Sequence, residues 1–187
     1  TCSDFKEFFN ENQENITKTE LCENLEALLK KYNIKTVFYE NEDYPESLYN
    51  IVNPPLILYY KGDKTLLNKK SIAIVGTRKP TDYGIVVAKQ YCKELANSGM
   101  TIVSGLATGI DSVAHKTALE NDGKTIAVLA GGFDNIYPQT NYSLSKTIEE
   151  KGLLVSEYPP STKPLSYYFP IRNRIIAGLS KGVLVPE

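Results

Sequence analysis

Short apolar runs alternate with longer amphipathic stretches, most clearly from Ser71 onward. Residues 72–75, 101–104, 125–129 and 153–156 are aliphatic and β-branched with little polar alternation, the pattern of strands buried on both faces. The stretches between them predict helices over 83–97, 110–121 and 141–150. The first of these puts Ile85, Ala88, Tyr91, Cys92, Leu95 and Ala96 on one face. A proline-rich loop after residue 156 leads to a helix over 170–179, and residues 183–185 begin a fifth strand. Strands alternating with helices of this length make βαβ units, so the expected class is α/β with a mainly parallel sheet and helices on both faces. Upstream, Phe5, Phe8, Phe9, Leu21, Leu25, Leu28 and Leu29 recur at spacings of three and four, which predicts a helical appendage. Residues 35–39 and 56–60 read as strands flanking a short turn at Tyr44-Pro45, and they are expected to extend the edge of the main sheet.

Right-handed crossovers place every strand-to-helix loop at the carboxyl edge of such a sheet. Eleven of the 12 glycines follow position 71, and several mark those loops. The loops are GTRKP at 76–80, SGLATG at 104–109, GGFDN at 131–135 and EYPPS at 157–161. The first sets Gly76, Thr77, Arg78 and Lys79 between a strand and a helix. Exposed amides, a helix start and a guanidinium together favour an anion, most naturally a phosphate. The amides of Gly105, Thr108 and Gly109, and those of Gly131, Gly132 and Phe133, are expected to join the same rim. The helix after the fourth loop carries Arg172, Asn173 and Arg174, preceded by Tyr167, Tyr168 and Phe169. Arginines with stackable aromatics and phosphate pockets are what single-stranded nucleic acid uses.

Composition narrows the options. Hydrophobic residues make up 42% and charged residues 23%, ordinary values for a globular chain. No apolar run reaches the ~20 residues of a membrane span, so no membrane partner is expected. Cys2, Cys22 and Cys92 are far apart and odd in number, which suits a reducing cytoplasm better than a disulfide framework. The single histidine, His115, leaves no multi-histidine metal site and is expected to be structural or solvated. Net charge is -1, but residues 1–70 carry -3 and residues 71–187 carry +2, so any polyanion meets a local patch in the second part. Only three of the 21 basic residues are arginine, all in Gly, Pro or aromatic surroundings, which suggests a need for a planar fork. There is no G-x-x-x-x-G-K-[ST], no G-x-G-x-x-G after the first strand and no G-x-S-x-G elbow. Asp111 fits a helix start, and Glu157 is placed to orient an arginine.

Taken together, GTRKPTDYG, SGLATGIDSVAHKTAL, GGFDNIYPQTN, SEYPP and FPIRNRIIAGLSKGVLV, in that order, resemble the DprA/Smf family of DNA-processing proteins over about residues 40–185. The resemblance implies an extended Rossmann-like, doubly wound fold. It implies a non-catalytic protein without cofactors that binds single-stranded DNA, helps load RecA recombinase in natural transformation, and pairs as a homodimer. By the same resemblance Arg78 contacts DNA phosphate, with Gly76 and Thr77 shaping its pocket and Gly105 and Gly109 beside it. Thr108 stands where some relatives carry lysine. Arg172 and Arg174 fall in the F-P-x-R-N-R stretch, and one of them is expected to be buried under the pocket. Residues 1–35 are then the remnant of a helical domain and residues 36–187 a Rossmann-like domain truncated at its C-terminus. A second reading is an enzyme of the related group that cleaves nucleoside monophosphates, suggested by Gly131-Gly132. That group's threonine and glutamate are missing from AGGFDN at 130–135.

Overall fold

The computed structural model describes residues 18–187, with side chains from residue 25 onward. The run around Phe5, Phe8 and Phe9 lies outside the described residues. The chain divides after Ile34 into two units, Thr1–Ile34 and Lys35–Glu187. In the first, helix α1 (Lys18–Lys31) ends on two lysines, which suit the negative end of a helix dipole. Asn33, at a φ of 50°, closes it, and the Ile34 amide returns to the Leu29 carbonyl at 2.8 Å.

The second unit is built on one seven-stranded sheet. Its strands are β1 (Lys35–Phe38), β2 (Ile57–Gly62), β3 (Ser71–Ile74), β4 (Thr101–Ser104), β5 (Thr125–Val128), β6 (Leu153–Ser156) and β7 (Val183–Leu184). Their spatial order is β1-β2-β6-β5-β4-β3-β7. Strands β6 to β3 and β7 are parallel; β1 and β2 extend the far edge, as expected, and there β2 runs antiparallel to both of its neighbours, β1 and β6. The helices are α2 (Glu46–Tyr49), α3 (Asp82–Asn97), α4 (Ile110–Glu120), α5 (Tyr142–Lys151) and α6 (Tyr168–Leu179).

Alternate residues of each strand serve opposite faces. Ile74 and Ile102 pack with Ala88 and Cys92 of α3 and Ala114 and Ala118 of α4. Their neighbours Ala73 and Val103, with Ile126, Val128 and Val155, pack with Leu48 of α2 and Ile175, Ile176 and Leu179 of α6. Every residue of β4, β5 and β6 is buried, which is why their sequences show no polar alternation. The fold is therefore the Rossmann-like, doubly wound α/β sheet, with a reversal of winding between β3 and β7. One detail differs from expectation. Tyr91 stays exposed because the stripe of α3 that meets α4 is made of small residues, Gly84, Ala88, Cys92 and Ala96. Among the described residues no helix is long and apolar enough to cross a membrane.

Candidate nucleic-acid interface

The first rim loop carries the chain from β3 into α3. Thr81 caps that helix, its Oγ1 accepting from the Gly84 amide at 3.1 Å. The Thr77 amide donates to the Glu187 carbonyl at 2.8 Å, and the Thr77 hydroxyl accepts from the Lys79 amide at 3.2 Å. These contacts turn the backbone inward and the next two side chains outward. Arg78 and Lys79 are exposed, and neither makes an ion pair among the described residues. The Arg78 guanidinium stands 5.4 Å from the centroid of the Phe169 ring, a cation–π contact that holds it over the rim. Phe169 in turn meets the edge of Tyr137 at 5.7 Å. Tyr137 is 55% exposed. The residue-by-residue reading did not single it out, although it sits at the end of the GGFDNIY run.

The second loop does something other than expected. The Gly105 and Ala107 amides do not face an external anion, because Asp111 already fills their cradle. Asp111 Oδ2 accepts from the Gly105 amide at 3.1 Å and the Ala107 amide at 3.3 Å. At the same residue, Arg172 Nη1 donates to the Gly105 carbonyl at 2.7 Å and also to the Val128 carbonyl. Asn141 Nδ2 holds the Leu106 and Ala107 carbonyls at 2.9 and 3.1 Å. Leu106, fully buried at a φ of 59°, is kept in that conformation by these bonds. Gly109 needs its missing Cβ: its φ is 77°, and a methyl there would lie 2.3 Å from the Thr77 carbonyl oxygen. That close approach joins the first two loops. Thr108 and Gly109 remain half-buried at the surface.

Burial raises the Asp111 carboxyl above its ordinary value, and the Arg172 charge opposes the rise. Burial likewise pushes the Arg172 guanidinium down to about 10, with Asp111 opposing. Arg172 is still a cation at neutral pH. It is only 4% exposed, so it does not stand on the rim as a direct phosphate ligand. It is the arginine under the pocket, with carbonyls as its partners.

The third loop is also corrected. The Gly132 amide donates to the Thr162 carbonyl at 2.8 Å, and the site of a Cβ lies 1.6 Å from the Pro160 carbonyl oxygen. Gly131, Gly132 and Phe133 are buried beneath the 157–164 loop rather than open to a ligand. The paired glycines let two backbones touch. Arg174, half-buried, binds Glu157 at 2.5 Å and the Asn53 carbonyl at 2.9 Å, so it ties α6 to two loops. Glu157 thus orients an arginine, as its position suggested. Asn173 is exposed, its Oδ1 accepting from Arg172 Nε at 3.2 Å.

His115 is fully buried. Its Nδ1 lies 2.7 Å from Thr125 Oγ1, which itself donates to the Ile102 carbonyl at 2.8 Å. Burial drives its pKa down to about 3, so it is neutral and sealed away from the rim.

Among the described residues, clefts lined by Arg78 and Phe169 open at the carboxyl edge, and two of them are large. One, of about 550 Å³, lies where the winding reverses, between the first loop, α6 and β7. The other, of about 360 Å³, is bounded by Tyr137, Pro164 and Ser166. The rim is therefore a cationic and aromatic ridge between two hollows, with its loops already closed by internal hydrogen bonds.

Residues 35–187 match the family described as DNA recombination-mediator protein A. The DNA processing protein DprA of Bacillus subtilis is 47% identical over 162 residues, covering 86% of this chain and 54% of that protein. Protein Smf of Synechocystis is 49% identical over 154 residues, covering 79% and 38%. The chain thus spans about half the length, or less, of the curated relatives it matches. The X-ray structure of DprA from Streptococcus pneumoniae superposes with a TM-score of 0.80 at 42% identity, covering 86% of this chain and 57% of that one. A structure of the Helicobacter pylori protein, described as giving insight into its unique single-stranded DNA binding mode, superposes with a TM-score of 0.74 at 36% identity, covering 81% and 68%. The family match over residues 35–187 and these identities show that the chain belongs to the DNA recombination-mediator protein A family, whose members carry the names DprA and Smf.

Proposed function

We propose that this chain binds single-stranded DNA along the carboxyl rim of its sheet, with no covalent step. In the cytoplasm, that binding serves to protect incoming DNA and to load RecA recombinase during natural transformation, with a second copy of the chain as a further partner. The observation that carries the reading is Arg78: an exposed guanidinium without an ion pair among the described residues, fixed over Phe169 on a ridge between clefts. Such an arrangement offers a phosphate one strong fork and offers bases aromatic faces. Lys79 and Asn173 flank it, and Gly76, Thr77, Thr108 and Gly109 shape the surface around it. The Helicobacter pylori relative, whose structure concerns single-stranded DNA, supports the same class of ligand.

The groups that a covalent step would draw on are engaged elsewhere. Asp111 is engaged by two amides, Glu157 by Arg174, and His115 is enclosed. Nucleoside-monophosphate cleavage would need a free acid and open glycines; Asp134, the exposed acid there, accepts from Ser161 Oγ at 2.9 Å, and Pro160 covers Gly132. The test is a fluorescence-anisotropy titration with an oligo-dT at several salt concentrations. Arg78→Ala is expected to weaken binding about tenfold and to lower the slope of log K against log salt by about 0.7. Unchanged affinity and slope would overturn the reading, as would release of free base from AMP by the unmodified protein.

A further inference from the structure

The loop that carries Arg78 is pinned at both ends by one residue from far along the chain. Glu187 follows β7 across Val185 and Pro186. Its carbonyl accepts from the Thr77 amide at 2.8 Å. Its Oε2 accepts from the Thr81 amide and from the Thr81 hydroxyl, each at 2.9 Å. That hydroxyl has a single proton. Giving it to Glu187 leaves a lone pair for the Gly84 amide, so the cap of α3 is oriented by the carboxylate. The positive end of the helix dipole favours the acid at the same place. Room for it exists because residue 84 is glycine: a Cβ there would overlap Glu187 Oε2. Between the two pins the Lys79 amide bonds the Thr77 hydroxyl, and the ring of Pro80 fixes its own φ. Residues 78–80 are thus left few ways to move.

An acid at this spot works against the strand that Arg78 attracts, since a carboxylate repels a phosphate. Its hydrogen bonds give the reason for its presence. Resting on the single-strand reading above, we infer that Glu187 is a positioning residue for Arg78. By holding Thr77 and Thr81 it sets the span of the loop, and with it the place of the guanidinium over Phe169. Glu187 itself touches no phosphate. Taking an acid away from a nucleic-acid interface tightens binding by charge alone. Taking this one away is expected to loosen it.

The experiment measures oligo-dT binding by fluorescence anisotropy for the wild type, Glu187→Ala, Glu187→Gln and Gly84→Ala, and for Arg78→Ala with and without Glu187→Ala. Gly84→Ala drives the carboxylate from its seat, yet alanine is a better helix former than glycine, so positioning is separated from helix stability. Circular dichroism checks each fold, and hydrogen exchange of the Thr81 amide reports whether its bond to Oε2 is lost. Glu187→Ala and Gly84→Ala are each expected to weaken binding about threefold and to speed that exchange, a coupling at the low end for residues sharing one hydrogen-bond network. Glu187→Gln keeps an acceptor and restores most of the affinity. In the Arg78→Ala background, Glu187→Ala brings no further loss. If Gly84→Ala does not fold, or keeps the Thr81 amide protected, Glu187→Ala decides alone.

Unchanged or tighter binding by Glu187→Ala, with the Thr81 amide exchanging freely, overturns the inference and leaves the single-strand reading standing. So does a Glu187→Gln variant as weak as Glu187→Ala, or a further loss in the Arg78→Ala background. A wild type that does not bind oligo-dT overturns both.

Discussion

Arg78, Arg172 and Arg174 look alike in sequence and occupy three different environments. Arg78 is exposed over an aromatic ring, Arg172 is buried among carbonyls, and Arg174 is half-buried against Glu157. Arg172→Met would leave the Gly105 and Val128 carbonyls without their donor and Asp111 without its nearest opposing charge. A loss of about 3 kcal/mol in urea denaturation is expected. Arg78→Ala should leave that midpoint unchanged, since the side chain faces solvent. His115 gives a pH test. Its folded pKa is depressed to about 3, so the unfolded chain binds the extra proton between its own pKa and that value. Stability from this group is complete above the unfolded pKa near 6.5 and is lost on acidification, by up to about 1.4 kcal/mol per pH unit. His115→Leu should flatten the fall in urea midpoint between pH 6.5 and pH 4. Thr125 keeps its bond to Ile102 in that variant, so the midpoint at pH 7 should change little.

Helix α6 shows how one element divides its labour by turn. Arg172, Ile175, Ile176 and Leu179 face the sheet, Phe169 and Asn173 reach the rim, and Arg174 reaches sideways. In the sequence this helix is legible as a helix, but the task of each arginine is not, because FPIRNR gives no sign of which cation points inward. The strands were legible for a physical reason: β4 to β6 are covered on both faces, so their residues carry no polar partner pattern to confuse. The glycine loops were legible as loops. What each glycine does depends on a segment far along the chain, Pro160 for Gly132 and Thr77 for Gly109, and spacing along the sequence does not carry that. The same holds for Asp111, which reads as a helix-start acid and turns out to fill the amide cradle. Gly132→Ala tests the interlocking of loops. Its Cβ would collide with the Pro160 backbone, so the 157–164 loop must shift, and a loss of at least about 2 kcal/mol is expected in thermal or urea unfolding.

At the scale of the whole molecule, the chain carries almost no net charge, and its cationic groups at the rim are few. Long-range attraction to nucleic acid is therefore weak and contact is local. With Arg78 and Lys79 as the phosphate contacts of one chain, the salt slope for a short oligomer should be about -1.4, far shallower than that of a basic DNA-binding domain. A slope several times steeper would place additional cations on the path. The backbone N–H and C=O of Gly105 are both engaged, by Asp111 and by Arg172, before any strand arrives. A surface already set has little motion left to surrender on association, so the disorder that disappears belongs to the nucleic acid. Loosely stacked thymine tracts, which need no prior unwinding, should fit this mould with less penalty than self-stacked adenine tracts.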